Sequence, residues 1–391
     1  MTWKLLMTRY FPLPVVWLAL LVTILVAACG GSAPEPTPTP SPAPKPTPTP
    51  EPADRTVMAD ARAFEPSAVT LEDGRVLVLG GSPILRSAGV FDPSSGTWSS
   101  AGRMKEPHAF GTATLLMDGR VLAAGGQSFG NFTNSAELYD PISGTWSPAE
   151  NMEQIRVDHT AVLLQDGRVL VVGGRDFAGP LTSTEAYDPS TGTWSPTGSM
   201  GEARANHTAT LLADGRVLVA GGGASDLAMD SVEVYDTTTD TWSTAGSMAK
   251  RRTRHTAVTL RDGRVLVVGG FQNSAEVYDL LTDTWTSVGT TETLLGQAVE
   301  LLPDGRVLIA GGFVHPQRQY VPIARGQVLD PSTGVWSPTE GMVDERARHT
   351  AVVLADGRIL VVGGVNGVQF TPLASAEVFD PSTGRWLLPG E

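Results

Sequence analysis

Short apolar runs and turn residues alternate along this chain, and one kind of run is apolar on both faces. Within residues 207–220, a β-prone run ends at Asp214-Gly215, and the run Val-Leu-Val-Ala follows. Asp-Gly favours a two-residue type I′ hairpin, because glycine tolerates the positive φ that this turn requires. A strand that is apolar on both faces is expected to be buried on both faces. The pattern therefore predicts a β-hairpin with a buried second strand.

Two more strands are predicted in the same stretch of sequence. Gly221-Gly222 ends the buried run, where the backbone must turn or pass close to a neighbour. Residues 231–235 then alternate in polarity as a third strand, and Trp242 begins a short fourth strand. The turn between these two strands is clearest at residues 188–194, where Pro holds the second position and Gly the left-handed one.

This four-strand unit occurs seven times. Every unit contains Asp-Gly-Arg, then a Gly-Gly pair whose second glycine lies eight residues after that Asp, and later an Asp with Trp six residues beyond it. The triplets begin at Asp73, Asp118, Asp166, Asp214, Asp262, Asp304 and Asp356. The starts are 42 to 52 residues apart, a period that indicates an array of supersecondary units. Seven four-stranded units close best into a β-propeller, because closure leaves only short, protected edges.

Three recurring features resemble the kelch repeat: the Gly-Gly pair, an aromatic residue before the later Asp, and the Trp after it. The aromatic residues are Phe91, Tyr139, Tyr187, Tyr235, Tyr278 and Phe379, and the tryptophans are Trp98, Trp146, Trp194, Trp242, Trp285, Trp336 and Trp386. The resemblance covers residues 60–391. It implies an all-β, seven-bladed kelch β-propeller of four-stranded antiparallel blades, whose loops at one end of a central channel bind ligands. It does not fix the chemistry, since one fold hosts many functions.

The two ends of the ring are expected to meet through an N-terminal segment. In five units a Met lies six residues after the Trp: Met104, Met152, Met200, Met248 and Met342. The last unit lacks this Met, but Met58 and Arg62 reproduce the Met-x-x-x-Arg spacing found elsewhere. We therefore expect residues 54–60 to pack beside the last blade, where residues 386–388 begin the outer strand.

Almost all variation in repeat length falls between the Gly-Gly pair and the later Asp, where the spacing ranges from 9 to 18 residues. A variable segment between fixed ones predicts a loop that protrudes from the ring. The longest, in the sixth unit, contains His315, Arg318 and Tyr320. These side chains suit hydrogen bonding and stacking with a polar ligand or peptide. Elongation without a function is the alternative.

Four units begin their first strand with Arg-x-x-His, and most carry a Glu in the third strand. The pairs are Arg156/His159, Arg204/His207, Arg252/His255 and Arg346/His349, and the glutamates are Glu137, Glu185, Glu233, Glu276 and Glu377. The first and sixth units lack both features, so arginine and glutamate are predicted to pair and neutralise buried charge. In the alternative, Arg252, His255, Arg346 and His349 hold an anionic ligand at the channel mouth. Kelch adaptor domains similarly hold acidic peptides with cationic residues.

No cofactor and no metal site is expected. Histidines spaced around a channel ~10 Å or more across are too far apart for zinc bonds of ~2.1 Å. Copper radical oxidases of the kelch fold use a cysteine cross-linked to tyrosine, and the single cysteine here is Cys29, outside the repeats. That chemistry is therefore excluded. Kelch sialic-acid mutarotases use acid–base residues at the channel mouth, which Glu345, Arg346 and His349 could imitate. An enzyme of that type stays an alternative.

Residues 1–53 differ in character from the repeats. Lys4 and Arg9 precede an apolar run that resembles a secretory signal peptide over residues 1–28. Its end, Leu-Val-Ala-Ala-Cys29, resembles a bacterial lipobox, which implies lipidation of Cys29; an uncleaved membrane anchor is the alternative. Residues 29–53 carry Pro at every second position from 34 to 52, which predicts an extended stalk. The propeller is then expected over residues 54–391.

Composition and charge limit the partners. With 43 Gly and 29 Pro in 391 residues, strands and turns are favoured over helices. Loss of residues 1–28 would remove two basic residues and change the formal net charge from −13 to −15. An acidic chain without a basic run is a poor partner for nucleic acid or anionic lipid. We expect an extracytoplasmic monomer, held at a bacterial membrane by its lipid only, that binds a protein or glycan; a passive surface scaffold is a further alternative.

Overall fold

Each sequence repeat forms one four-stranded antiparallel sheet, and seven such sheets follow one another along the chain. The structure is a computed structural model that describes residues 57–224, 227–292, 295–315 and 319–391. The signal-peptide, lipidation and stalk predictions fall on residues 1–53 and so lie outside the described residues. No helix in the described ranges is long and apolar enough to cross a membrane.

The strands of each blade are numbered from the channel outward. The first strands are Ser67–Thr70, Thr112–Leu115, Thr160–Leu163, Thr208–Leu211, His255–Thr259, Ala298–Leu301 and Thr350–Val353. The second strands are Val76–Leu79, Val121–Ala124, Val169–Val172, Val217–Ala220, Val265–Gly269, Val307–Ala310 and Ile359–Val362. The third strands are Ser87–Asp92, Ala136–Asp140, Thr184–Asp188, Val232–Asp236, Ser274–Asp279, Gly326–Asp330 and Ala376–Asp380. The fourth strands are Thr97–Arg103, Thr145–Pro148, Thr193–Pro196, Thr241–Ala245, Thr284–Thr290, Val335–Pro338 and Arg385–Leu387.

Four of the loops between second and third strands form short hairpins of their own. They pair Gln127–Ser128 with Asn131–Phe132, Gly223–Ala224 with Leu227–Ala228, Phe313–Val314 with Val321–Pro322, and Val365–Asn366 with Thr371–Pro372. These are the loops of variable length in the sequence. They lie at the end of the blades opposite the Asp-Gly turns, because each second strand starts at one end and finishes at the other.

The blades close into a ring. An apolar cluster lies between each pair of neighbouring blades, and one of the seven joins Val76 and Val78 of the first blade to Leu360 and Val362 of the last. The first strands of neighbouring blades also contact one another all round the channel, including the first and the seventh. The prediction of an all-β, seven-bladed propeller is confirmed.

The second strands and the tryptophans explain why the repeat residues recur. Every second strand is fully buried, as its two-sided apolar pattern predicts. Each Trp packs against its own blade's third strand, with ring centroids 5.1–5.2 Å apart where that neighbour is Tyr or Phe. In six blades the indole N–H also donates to a carbonyl of the preceding blade at 2.7–3.0 Å. The Trp therefore links neighbouring blades.

The hairpin turns differ from the predicted type. The amide N–H of Gly74 donates to the Leu71 carbonyl at 2.9 Å, and the Leu71 N–H donates to the Arg75 carbonyl at 2.7 Å. Gly74 has φ +84°, whereas Asp73 has no positive φ. A type I′ turn needs positive φ at both central residues, so that prediction is wrong. The loop has three residues, with a type I turn followed by a left-handed glycine.

The N-terminal segment joins the ends of the ring. The N–H of Met58 donates to Ala374 at 3.0 Å and that of Arg62 to Leu373 at 2.9 Å, as the corresponding Met and Arg residues do in the other blades. The Met58 side chain, 4% exposed, lies in the cluster between the seventh and first blades. Leu387 pairs with Val378 in the outer strand, as expected. Residues 57–60 thus pack beside the last blade, while residues 54–56 lie outside the described residues.

Replacing Met58 by Ala tests this closure. The change leaves a cavity between the two end blades and should lower the free energy of unfolding by about 2–4 kcal/mol. Met117→Ala, at an exposed Met, is the matched control and should change it by less than about 0.5 kcal/mol. Thermal and urea melts of both variants give the comparison. Equal stability of wild type and Met58→Ala would contradict the closure.

Candidate ligand-binding site at the channel mouth

The two ends of the propeller differ in how far they repeat. At the Asp-Gly end, each Arg of the seven triplets forms an ion pair with the Asp of its own triplet at 2.6–2.8 Å. At the other end, the loops differ in length and sequence from blade to blade. A binding site needs residues that are not dictated by the blade, so the loop end is the candidate.

A ring of seven left-handed residues surrounds the channel at the loop end. They are Glu65, Phe110, Asp158, Asn206, Arg254, Gly296 and Arg348, and the six that are not glycine have φ between +53° and +59°. Main-chain N–H groups link neighbours at 2.7–3.1 Å, from Asp158 to Phe110, Asn206 to Asp158, Arg254 to Asn206 and Arg348 to Gly296. L residues rarely adopt this conformation, so its recurrence indicates that the ring geometry imposes it.

The side chains of this mouth ring vary from blade to blade, and they meet a single cavity. It has a volume of about 450 Å³ and is lined by Glu65, Asp158, Asn206, Arg254 and Arg348, together with first-strand residues of every blade except the fourth. Asp158 forms an ion pair with Arg175 at 2.7 Å. Sequence reasoning missed these residues. The sequence did contain a signal for them: within the Arg-x-x-His pairs, the residue directly before the His varies from blade to blade while the Arg and the His are constant.

The arginines of the Arg-x-x-His pairs lie behind this ring. Arg156, Arg204, Arg252 and Arg346 are fully buried, and each guanidinium is 2.6–2.8 Å from the third-strand glutamate of its own blade. Each also donates to a carbonyl of its Gly-Gly pair at 2.6–3.0 Å. In the second blade His108 takes the arginine's place, 3.3 Å from Glu137. The pairing hypothesis agrees with these contacts, and Arg252 and Arg346 have no surface on the cavity.

The first blade keeps its arginine although the sequence pattern indicates its loss. Arg62 donates to the Gly80 carbonyl at 2.8 Å, as the other arginines do in their blades. One extra residue between Arg62 and the first strand removes the Arg-x-x-His spacing, and Gly89 replaces the glutamate. Without that partner, burial lowers the pKa of Arg62 to about 10, an effect that Asp60 opposes. The prediction that this blade lacks both Arg and Glu is therefore wrong.

The predicted histidines line the cavity. His159, His207, His255 and His349 are 4–6% exposed. Burial, and then the neighbouring arginine, lowers the pKa of His159, His255 and His349 to about 3. These imidazoles are therefore neutral at physiological pH and act as hydrogen-bonding groups rather than as cations. His255 and His349 meet the cavity that Arg252 and Arg346 do not.

One carboxyl group in the channel wall has no counterpart in other blades. Glu300 lies in the first strand of the sixth blade and lines the same cavity. The corresponding residues elsewhere are Val69, Thr114, Val162, Thr210, Val258 and Val352. Burial raises the pKa of Glu300 to about 8. Sequence reasoning missed this residue, because it looked for singular residues in the loops.

The long loop of the sixth blade packs Phe313 beside Gly296 of the mouth ring, but the predicted residues His315 and Tyr320 do not line the cavity. Phe313 is 1% exposed and packs with Tyr320 and Phe370, at ring-centroid distances of 5.8 and 5.5 Å. His315 stacks on Tyr320 at 4.5 Å. Arg318 lies outside the described residues. The mutarotase-like set is not assembled, since Glu345 is exposed, Arg346 is buried against its glutamate, and only His349 meets the cavity.

Comparison with protein families identifies the repeats. A model of the KLHDC2/KLHL20/DRC7 Kelch-repeats domain matches residues 67–270 and 150–312, and a Kelch motif model matches residues 346–388. The chain belongs to the kelch-repeat family. No curated protein matches the sequence at a significant level. This kelch propeller is also similar to a fungal alcohol oxidase with catalytic diversity among the AA5 family, solved in complex with copper, with a TM-score of 0.65 and 22% identity over 80% of this chain and 72% of that chain.

The likeness to the oxidase concerns the fold. Within the described ranges, no three His, Cys, Asp or Glu side chains cluster so as to hold a metal ion. The one cysteine, Cys29, lies outside those ranges and outside the blades. The side chains that the described blades provide therefore do not fit a copper ion like the one bound by the oxidase.

Arg346→Met separates a structural role of the buried arginine from a ligand role. It leaves Glu377 uncompensated and should lower the free energy of unfolding by about 3–5 kcal/mol. The double variant Arg346→Met/Glu377→Gln should recover part of the loss, which a melt measures. Arg385→Ala, at an exposed outer-strand arginine, is the control. An unchanged melt of Arg346→Met would contradict the structural role.

The raised pKa of Glu300 predicts how stability depends on pH. The folded chain retains a proton that the unfolded chain releases above pH ~4.3, so Glu300 destabilises the fold increasingly as pH rises to about 8. The difference in stability between Glu300→Gln and wild type should therefore grow by about 2–4 kcal/mol from pH 5 to pH 8. Urea melts across this range, with Glu72→Gln as an exposed control, measure it. Parallel curves would show that the carboxyl is not perturbed.

Proposed function

We propose that this kelch protein is an extracytoplasmic lipoprotein that binds a protein or glycan ligand at the channel mouth. The observation that carries the proposal is the mouth ring, in which a backbone conformation common to all seven blades presents six kinds of side chain at one position. The rest of each blade repeats because packing requires it. A position whose geometry is constant and whose chemistry varies is what ligand recognition uses.

Charge at the mouth supports an acidic ligand. Arg254 and Arg348 line the cavity, with the Asn206 amide beside them. Of the acids at the mouth, Asp158 is engaged by Arg175 and Glu65 lies close to Arg348, which leaves the positive charge of Arg254 in excess. The histidines below the ring are neutral and offer hydrogen bonds without adding charge. A carboxylate or another anionic group therefore matches this site better than a cation.

Aromatic residues at the loop end support contact with a ring or an apolar side chain. Phe177 is 66% exposed and stacks on Phe132 with centroids 4.6 Å apart, and Phe129 is 61% exposed. Exposed aromatic side chains beside polar groups are common where proteins bind partners and ligands. Both a sugar ring and a peptide side chain fit such a surface. No observation at the mouth favours the mutarotase-type enzyme over binding.

Location at the cell surface rests on the sequence. The lipobox-like end at Cys29 supports a lipid anchor, and the alternating prolines of residues 29–53 support a stalk between the anchor and the propeller. A monomer bound to a bacterial membrane only through this lipid follows from the same reasoning. The loop end would then be available to ligands outside the cytoplasm.

Glycan and acidic-peptide arrays probed with the full-length chain test the binding role. Arg254→Ala should weaken binding to any acidic hit at least tenfold, because one charge-assisted hydrogen bond contributes about 1.5–3 kcal/mol. Arg385→Ala, at an exposed outer-strand arginine, should bind as wild type does. Both variants should melt within a few degrees of wild type. Hits that are unaffected by Arg254→Ala would place binding elsewhere, and silent arrays would favour a passive scaffold.

A further inference from the structure

The wall between the sixth and seventh blades is where the polar pattern of the channel breaks. In three other walls, a histidine ring nitrogen meets a threonine hydroxyl of the preceding blade: Thr112 with His159 at 3.2 Å, Thr160 with His207 at 2.9 Å, and Thr208 with His255 at 3.0 Å. At the corresponding place before His349 stands Ala298. The Nε2 atom of His349, which meets a threonine in those three walls, has no hydrogen-bond partner in the described part of the chain, although the residue is 5% exposed.

Glu300 lies beside this gap. Residues two apart on a strand point to the same side, so Glu300 and Ala298 share a face about 7 Å apart along the strand. In the other blades the first residue of this strand faces the next blade, as the threonine–histidine bonds show. The Glu300 carboxyl has no hydrogen-bond or ion-pair partner among the described residues. The cavity is lined by Glu300, Ala298 and His349 together.

The chemistry of the two groups indicates what fills the gap. With its pKa raised to about 8, Glu300 is uncharged at neutral pH and offers one O–H donor and one carbonyl acceptor. Neutral His349 likewise offers one N–H donor and one acceptor. Leaving such groups unpaired in a buried place costs free energy, so a ligand that satisfies both gains affinity. Hydroxyl groups donate and accept, whereas an ammonium group only donates.

We infer that Glu300 and His349 form a deep hydroxyl-binding subsite, and that the ligand of the mouth is a sugar acid. Its carboxylate lies at Arg254 and Arg348, and its hydroxyls reach the deep subsite. The inference rests on the proposed function and specifies which kind of glycan the protein would bind. Gly296 of the mouth ring lies four residues before Glu300, so the two levels are at most about 14 Å apart. A pyranose ring and an arginine side chain span that depth, and a cavity of about 450 Å³ holds a monosaccharide.

The repeats provide a variant that restores the usual pattern. Ala298→Thr/Glu300→Val gives the sixth blade the residues that the third blade has at Thr160 and Val162. The new hydroxyl should bond to His349 and the half-buried carboxyl is gone, so the variant should melt above wild type. Glu300→Val alone removes the carboxyl without adding volume beside His349, and it keeps the test valid if the double variant misfolds. Thr208→Ala, the control, opens the same gap at His255 without a carboxyl nearby.

Calorimetry of the full-length chain with D-glucuronate, cyclohexanecarboxylate and D-glucosamine tests the subsite. Glucuronate should bind wild type at least tenfold more tightly than cyclohexanecarboxylate, which lacks hydroxyls. Both Glu300 variants should lose that advantage, while Thr208→Ala should keep it and lose only stability.

Three results would overturn the inference. The first is equal affinity for glucuronate and cyclohexanecarboxylate, or unchanged glucuronate binding in both Glu300 variants. Either would show that water, and not a ligand hydroxyl, occupies the gap beside His349. Tighter binding of glucosamine with proton release would make the gap a cation site. If array ligands bind in a way that depends on Arg254 but glucuronate does not bind, the ligand is not a sugar acid, and the proposed function still holds. Loss of the Arg254 dependence would refute the proposed function itself.

Discussion

The buried arginine–glutamate pair connects the parts of the blade that place the channel mouth. Arg156 comes from the segment that enters the third blade, and it donates to Glu185 of the third strand and to the Gly173 carbonyl at the end of the second. Glu185 in turn accepts the N–H groups of Glu153 and Gln154 in the incoming segment. A charge without its partner would be costly at this depth, so the pair ties the segments together. The mouth residue follows two positions later, so in the four blades that have the pair this fixed entry holds the mouth residue in place.

The repetition of packing residues in every blade explains why the sequence predicts most of the fold but little of the candidate site. A strand such as Val217–Ala220, or the Trp of each blade, is constrained by packing in all seven places, so the pattern identifies it. The turn type was misjudged because Asp-Gly fits two kinds of hairpin loop, and only the backbone shows that the aspartate keeps a negative φ. Arg62 was recognised by its spacing from Met58 but not as an equivalent of the buried arginines, because one extra residue before the first strand breaks the Arg-x-x-His spacing.

The residues of the candidate site escaped for the opposite reason. Arg254 and Glu300 occupy positions whose backbone is the same in every blade, and only the side chain is unusual. Such positions are overlooked when segments of constant spacing are taken as structural and only loops of variable length are searched for function. Other blades also have a histidine at the position of His349, but His349 lacks the threonine partner. In the three pairs that have it, the threonine belongs to the neighbouring blade, 47 residues earlier in the chain. Contacts between blades are not visible in the sequence of one repeat. An unsatisfied wall that lowers stability is typical of a site kept for function.

Hydrogen exchange at the mouth ring measures the central claim most directly. In four blades, buried ion pairs hold the entry to the left-handed ring on which variable side chains are displayed. The amides of Asp158, Asn206 and Arg254, which donate around the ring, should therefore exchange as slowly as those of the second strands in the full-length chain. Exchange as fast as that of the exposed loop tips would show that the mouth has no fixed geometry, and would contradict the account.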